Sequence, residues 1–335
     1  MGGENRTGWF DGLQALRALL FLLVFVSHSG DFLRGVDGAW GGIAVAVFFV
    51  LSGFLCGCRE PSADGVWWKD CILGVWKKLR KFWVLHFIVL LVAAWYMPGR
   101  FKDFVRCALL VQSFCGKAKV ALSFNWPTWF LSSLMFCYLL APLLNRAATR
   151  IARHAAFALP AVWAVQAAWA AVWIGSPEAY GPGYYWVYIC PFARVFDFLS
   201  GVLVAKLFRR YGTGGASGAI CTLAESAIIA VFAALLWKHD FVPMIFRYCV
   251  IWMPISAALI WAFAAGRGRV VKALCNPPLM WLGLRSFELY ILHRVVLKAF
   301  ADAGATAWYW WTLAFVLTCL AAEAAARTIR RIGRA

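Results

Sequence analysis

The feature that most limits this chain is the repeated occurrence of apolar stretches long enough to cross a bilayer. About 20 helical residues are needed to span roughly 30 Å of hydrocarbon. Such stretches lie near 12–32, 40–58, 82–98, 126–145, 155–174, 187–207, 219–237, 241–264, 279–298 and 305–325. Backbone exposed to lipid must bond to itself, so the expected fold is an all-α polytopic transmembrane bundle of about ten spans. Between the third and fourth stretches, FVRCALLVQSFCGKAKVALSFNWP is too short and too interrupted to cross, and reads as interfacial or re-entrant. Composition agrees: 63% of the 335 residues are hydrophobic and only 14% are charged, outside the range of a soluble domain.

A formal charge of +18 would suit a nucleic-acid partner in a soluble protein. Here its distribution matters more than its sum. With the N-terminus inside, the inner segments hold 20 Lys and Arg and the outer segments 8. The positive-inside rule therefore predicts an N-in, C-in topology, and the charge reads as topology with no nucleic-acid partner. The polar stretch ENRTGWFDG before the first span, with no small-residue cleavage site after it, predicts a retained span and no signal peptide. Eleven cysteines are scattered without zinc-type spacing, so no metal is expected. Without repeats or linkers, residues 1–335 read as a single integral membrane domain.

The stretch RALLFLLVFVSH carries Arg17 and His28 at the ends of an apolar run. Eleven positions come within about 20° of three full turns, which places both on one helix face about 16 Å apart. Ionisable residues at membrane depth are costly enough to imply a function, and two on one face imply a shared cavity. Arg194 and Asp197, three apart, suit a buried ion pair. Arg285 and Glu288 have the same spacing and read as a second pair, while Ser286 and Tyr290 share a face at i, i+4. Arg247 in MIFRYCVIW has no obvious partner. The loop SPEAYGPGYYWVY reads either as interfacial aromatic anchors or as a stacking platform for a sugar.

Taken in order, these stretches resemble the acyltransferase-3 family of integral membrane O-acyltransferases. The resemblance rests on FDGLQALRALLFLLVFVSHSG with GGIAVAVFFVLSGFLCG, then KKLRKFWVLHFIVLL, TWFLSSLMFCYLLAPLL, PFARVFDFLSGVLVAKL and WLGLRSFELYILHRVV. It covers nearly the whole chain and implies ten spans in a bacterial inner (plasma) membrane. One departure is plain: WFLSSLMF has no carboxylate where many members carry a Glu after the Trp. The hydrolase-like domain fused to some members is also not expected.

The resemblance implies transfer of an acyl group, most simply acetyl, from cytosolic acyl-CoA to a hydroxyl of a glycan or glycolipid at the membrane or its outer face. The hydroxyl must lose its proton as it attacks the thioester. A histidine, with an ordinary pKa of about 6.5, suits that work, which assigns His28 as the base. Arg17 at the inner end suits a phosphate or the pantetheine arm of acetyl-CoA. Lys77, Lys78, Arg80 and Lys81 suit its nucleotide end. The resemblance puts Arg194 and His293 at the cavity, and Tyr290 with Ser286 are candidate oxyanion donors. The alternative is a membrane carrier of a lipid-linked saccharide, for which internal repeats are expected and none is found.

Overall fold

A computed structural model describes residues 5–59, 67–97, 99–176, 178–212 and 215–332, without the side chains of 5–10, 67–68, 70–71, 77–78, 81 and 330–332. The described residues form helices α1 (Asn5–Ser27), α2 (Ala39–Gly57), α3 (Trp67–Tyr96), α4 (Phe101–Ala108), α5 (Ala118–Ala121), α6 (Trp129–Arg150), α7 (Ala155–Val172) and α8 (Pro182–Tyr184). They continue as α9 (Pro191–Tyr211), α10 (Gly218–Lys238), α11 (Met244–Arg247), α12 (Trp252–Ala265), α13 (Arg269–Leu274), α14 (Pro277–Leu284), α15 (Ser286–Asp302) and α16 (Trp308–Ile332). No strand occurs among them, so the all-α expectation holds.

Among the described residues seven helical segments are long and apolar enough to cross a membrane: Ala39–Gly57, Trp126–Arg150, Ala152–Val172, Pro182–Tyr211, Gly218–Phe241, Met244–Ala265 and Trp308–Ile329. The expected spans at 12–32, 82–98 and 279–298 coincide with α1, the apolar half of α3, and α14 with α15. The Gly218–Phe241 segment is almost wholly uncovered by the rest of the chain although its mean hydropathy is 2.2. Such a surface is stable in lipid and costly in water.

The segment before α6 crosses nothing: it is a series of short turns around α4 and α5. Irregular backbone is tolerated at membrane depth where protein covers it. Here side chains strap it down. Trp83 Nε1 donates to the Ala108 carbonyl at 2.7 Å, Ser132 Oγ to Leu110 at 2.7 Å, and Ser113 Oγ to Trp129 at 2.9 Å.

The core is built around α2, whose residues are mostly buried, and its closest neighbour is α9. Gly53 and Gly57 on α2 face Gly201 and Ala205 on α9, a small-xxx-small pair that lets two backbones approach. A Cβ on Gly53 would lie 1.9 Å from the Phe198 carbonyl oxygen, and one on Gly201 would lie 1.9 Å from that of Val50. Helix α1 is clasped in the same way. A Cβ on Gly12 would meet the Phe263 oxygen at 2.0 Å, and one on Gly283 the Gln14 oxygen at 2.0 Å.

The Gly201→Val variant should therefore be destabilised by at least roughly 1–3 kcal/mol through overpacking, whereas Gly74→Ala, with nothing within 4 Å, should be neutral. Thermal unfolding of the detergent-solubilised variants checks this. Equal melting temperatures would mean that α2 and α9 do not meet through their glycines.

Candidate active site

The two ends of the α1 face have different surroundings. At the N-terminal end, Arg17 lies within electrostatic reach of Tyr138 on α6 and Glu288 on α15, and Tyr138 hydrogen-bonds the Ser52 side chain of α2. The Arg17 Nε is buried without a hydrogen-bond partner. Arg17 and Glu288 thus face one another, and a carboxylate absent from the WFLSSLMF stretch is supplied here by α15. Arg285 does not pair with Glu288 as the spacing suggests. It turns the other way to Glu323 on α16, at 2.8 Å, where Trp281 and Arg327 also converge. The chain kinks at Arg285 between α14 and α15, and that kink separates the two side chains.

At the other end, His28 Nδ1 lies 3.0 Å from His293 Nε2, and His293 Nδ1 lies 2.7 Å from the Tyr290 carbonyl oxygen. A carbonyl only accepts, so His293 Nδ1 carries a proton. In the neutral ring Nε2 then accepts, and His28 must donate from Nδ1. This order leaves Nε2 of His28 bare, on a ring that lines a cavity of about 390 Å³. His293 itself is fully buried behind His28, wedged between Phe21 and Phe25.

The cavity wall beside His28 exists because α2 begins with glycines. A Cβ on Gly41 would lie 2.3 Å from Ser27 Oγ and 3.7 Å from His28 Cε1, and one on Gly42 would lie 3.0 Å from the Tyr188 hydroxyl. Opposite stands an aromatic wall. Tyr180, Tyr184 and Tyr188 from the SPEAYGPGYYWVY loop line the cavity with Tyr248, Trp126 and Trp129. Ring centroids lie 5.1 Å apart for Tyr184 and Tyr188 and 5.0 Å apart for Tyr184 and Tyr248. Three of the loop's rings therefore line a concave site. A π-helical turn at Tyr185–Ile189, ended by Pro191, sets their direction.

Arg17 and His28 do not share this cavity. On the face between them stand Phe21 and Val24, both fully buried, and Arg17 is not among the residues that line the cavity. Arg194 is another difference: it is not a lining residue but lies wholly inside the bundle. There it pairs with Asp197 at 2.7 Å, donates to the Val187 carbonyl at 2.8 Å, and lies over the Phe49 and Tyr188 rings. Ser286 also lies outside the cavity. Tyr290 lines it, but its hydroxyl donates to the Pro127 carbonyl at 3.0 Å, so its proton is already committed. Arg80 is exposed on α3, and the side chains of Lys77, Lys78 and Lys81 lie outside the described residues.

Sequence reasoning did not single out His239 at the cavity, and it left Arg247 without a partner or a role. His239 bonds the Leu236 carbonyl through Nδ1 at 3.0 Å and lies 3.2 Å from Asp37, which in turn caps α2 at Ala39. Arg247 lines the cavity and pairs with Asp240. Its Nε and the Tyr248 hydroxyl are buried without hydrogen-bond partners among the described residues. The sequence signal for these was weak, since KHDF and MIFRYCV read as the ends of adjacent spans.

The protein is an integral membrane bundle with a cavity lined by His28 and walled by aromatics. Its sequence matches the acyltransferase-3 profile, described as an acyltransferase domain, over residues 10–326, and the chain belongs to that family. The curated acyltransferase MdmB of Streptomyces mycarofaciens is 27% identical over 288 residues, covering 77% of this chain and 68% of the relative. No solved structure matches the chain. The protein is a membrane acyltransferase.

The buried pair gives a stability prediction. Asp197→Asn leaves Arg194 as an uncompensated charge and should cost roughly 3–5 kcal/mol, seen as a lower melting temperature, and the double change Arg194→Met with Asp197→Leu should recover most of it. Unchanged melting of Asp197→Asn would show that the pair contributes nothing to stability.

Proposed function

We propose that the protein transfers an acyl group, most simply acetyl, from cytosolic acyl-CoA to a hydroxyl of a glycan or glycolipid, in the bacterial inner (plasma) membrane. The observation that carries this reading is the hydrogen-bond order that leaves His28 Nε2 free to accept a proton beside an aromatic-walled cavity.

In this reading the acceptor hydroxyl donates to His28 Nε2 and loses its proton as its oxygen attacks the thioester carbonyl. The imidazolium so formed still donates from Nδ1 to His293, now through a charge-assisted hydrogen bond. His293 is a positioning residue, because it fixes the tautomer and orientation of His28 without touching substrate. The tetrahedral intermediate places negative charge on the former carbonyl oxygen. Tyr248 hydroxyl and Arg247 Nε are the uncommitted donors of the cavity, and they take the oxyanion role first considered for Ser286 and Tyr290. Collapse expels the thiolate, which takes the proton from His28 and leaves as free CoA. The flat faces and polar tips of the tyrosines suit a sugar ring. Arg17 takes the donor's phosphate or pantetheine arm, with Lys77, Lys78, Arg80 and Lys81 toward the nucleotide.

Radiolabelled acetyl-CoA with a pool of cell-envelope glycans tests the reading. Wild-type protein should label glycan and His28→Ala should not; transfer by His28→Ala at the wild-type rate would remove the assigned base. His293→Phe should lower kcat roughly 100-fold with little change in the acceptor KM. His293→Gln, whose amide oxygen can still accept from His28, should retain more activity. Equal kcat values for these two variants would show that no hydrogen bond from His28 is at stake. Arg17→Ala should raise the KM for acetyl-CoA by more than that for the acceptor; an effect confined to the acceptor would contradict its placement.

A further inference from the structure

Beside the cavity lies a second, larger concavity of about 1110 Å³ between the end of α3, the α4–α5 segment and α15. The two share Leu122 and Trp126, so one opens alongside the other. Its lining carries six cations, Arg100, Lys102, Arg106, Lys117, Lys119 and Lys298, against one carboxylate, Asp103. Asp103 is spent on Arg106 at 2.8 Å, and Lys298 pairs with Asp302 at 2.6 Å. Among the described residues Arg100, Lys102, Lys117 and Lys119 enter no ion pair.

The arrangement runs against topology. On an N-in orientation the outer segments hold 8 Lys and Arg, a distribution the positive-inside rule disfavours, and six of those 8 line this one groove. Like charges gathered in a concave wall repel one another and raise the local potential, which a polyanion relieves. The groove's volume exceeds the roughly 300–1,000 Å³ of ordinary small-molecule pockets and leaves room for an oligomer. At its junction with the cavity stands the exposed ring of Trp126, backed by Arg294 at 5.1 Å and suited to a sugar face.

We infer that this groove binds an acidic glycan, so that the acceptor is a carboxylate- or phosphate-bearing saccharide chain whose reacting hydroxyl passes Trp126 into the His28 cavity. The inference rests on the acyl-transfer reading and adds to it the charge class of the acceptor. The cations hold the chain by its acidic groups and leave the hydroxyl to the tyrosines. A lipid headgroup has the same charge, but it is held at the hydrocarbon boundary, whereas the groove adjoins the cavity at Leu122 and Trp126.

The test reads binding and not turnover, so its failure is distinct from a failure of the chemistry. Full-length protein in phosphatidylcholine nanodiscs is titrated with oligogalacturonate and, separately, with neutral dextran oligomers of equal length. The acidic oligomer should bind roughly tenfold or more tightly than the neutral one and weaken as salt rises. The combined Arg100→Gln, Lys117→Gln and Lys119→Gln variant, altered only at exposed side chains, should lose roughly tenfold in affinity for it. Lys117→Arg with Lys119→Arg, which keeps the charge, should not. Equal binding of acidic and neutral oligomers would overturn the inference, as would wild-type affinity in the neutralised variant. So would enrichment of phosphatidylglycerol around the wild type with no binding of oligogalacturonate, which would make the groove a lipid site.

Discussion

The architecture depends on the rule that a polar group buried in hydrocarbon must find its partner inside the protein. Nearly every buried polar side chain of this bundle obeys it locally. Ser133 bonds the Ile189 carbonyl, Asn125 that of Ile291, Gln166 bonds Asp197, and Lys206 the Gly57 carbonyl. Each of these bonds ties one helix to the backbone or side chain of another segment, so the polar residues also fix the packing. Against that background the uncommitted atoms stand out. Arg17 Nε lies at one end of the α1 face, and Arg247 Nε with the Tyr248 hydroxyl lies at the cavity. Other buried donors without a hydrogen-bond partner among the described residues, Trp173 Nε1 and Arg194 Nε, belong to side chains that do not line the cavity.

The relay at His28 shows how little is needed to orient a base in such a medium. No carboxylate stands behind His28; its partner is a second imidazole, itself fixed by a backbone carbonyl three residues earlier on the same helix. Because the carbonyl cannot donate, the proton positions on both neutral rings follow from it. A neutral partner also spares the cost of burying a carboxylate at that depth. The one acid of this region, Glu288, is placed toward Arg17, where it faces a permanent positive charge. The chain thus separates its charged pair from its neutral relay along one helix face, with Phe21 and Val24 between them.

Much of this was legible in the sequence, and the limit of legibility is physical. Arg17 and His28 share a helix face because helical pitch is fixed, and Arg194 meets Asp197 because three residues of helix bring them together. The same reasoning misassigned Arg285, since a partner on another helix at Glu323 outweighs a neighbour at i, i+3 when the intervening backbone bends. Arg194 carries the chemistry expected of a cavity residue, yet it lies in the core, because spacing reports which residues meet and not which side of a helix is hollow. Of the two residues on the α1 face, His28 lines the cavity and Arg17 does not, with Phe21 and Val24 buried between them. His239 and Asp37 are far apart in sequence, and only the packing of α2 against the end of α10 brings them to 3.2 Å.

The net charge illustrates how one number conceals two fields. The inner cations are spread over several short segments, as expected of residues that set orientation at the membrane surface. The cations that an N-in orientation assigns to the outer side converge, from three separate parts of the chain, on a groove next to the His28 cavity. Orientation requires no such convergence, because a scattered set of the same charges would oppose insertion equally. Gathering them adds mutual repulsion that folding has to overcome, and the α4–α5 segment, which presents Lys102, Arg106, Lys117 and Lys119 to the groove, is the one strapped down by buried serines and a tryptophan. An irregular segment fixed so firmly and charged so heavily suits the acidic ligand inferred for the groove.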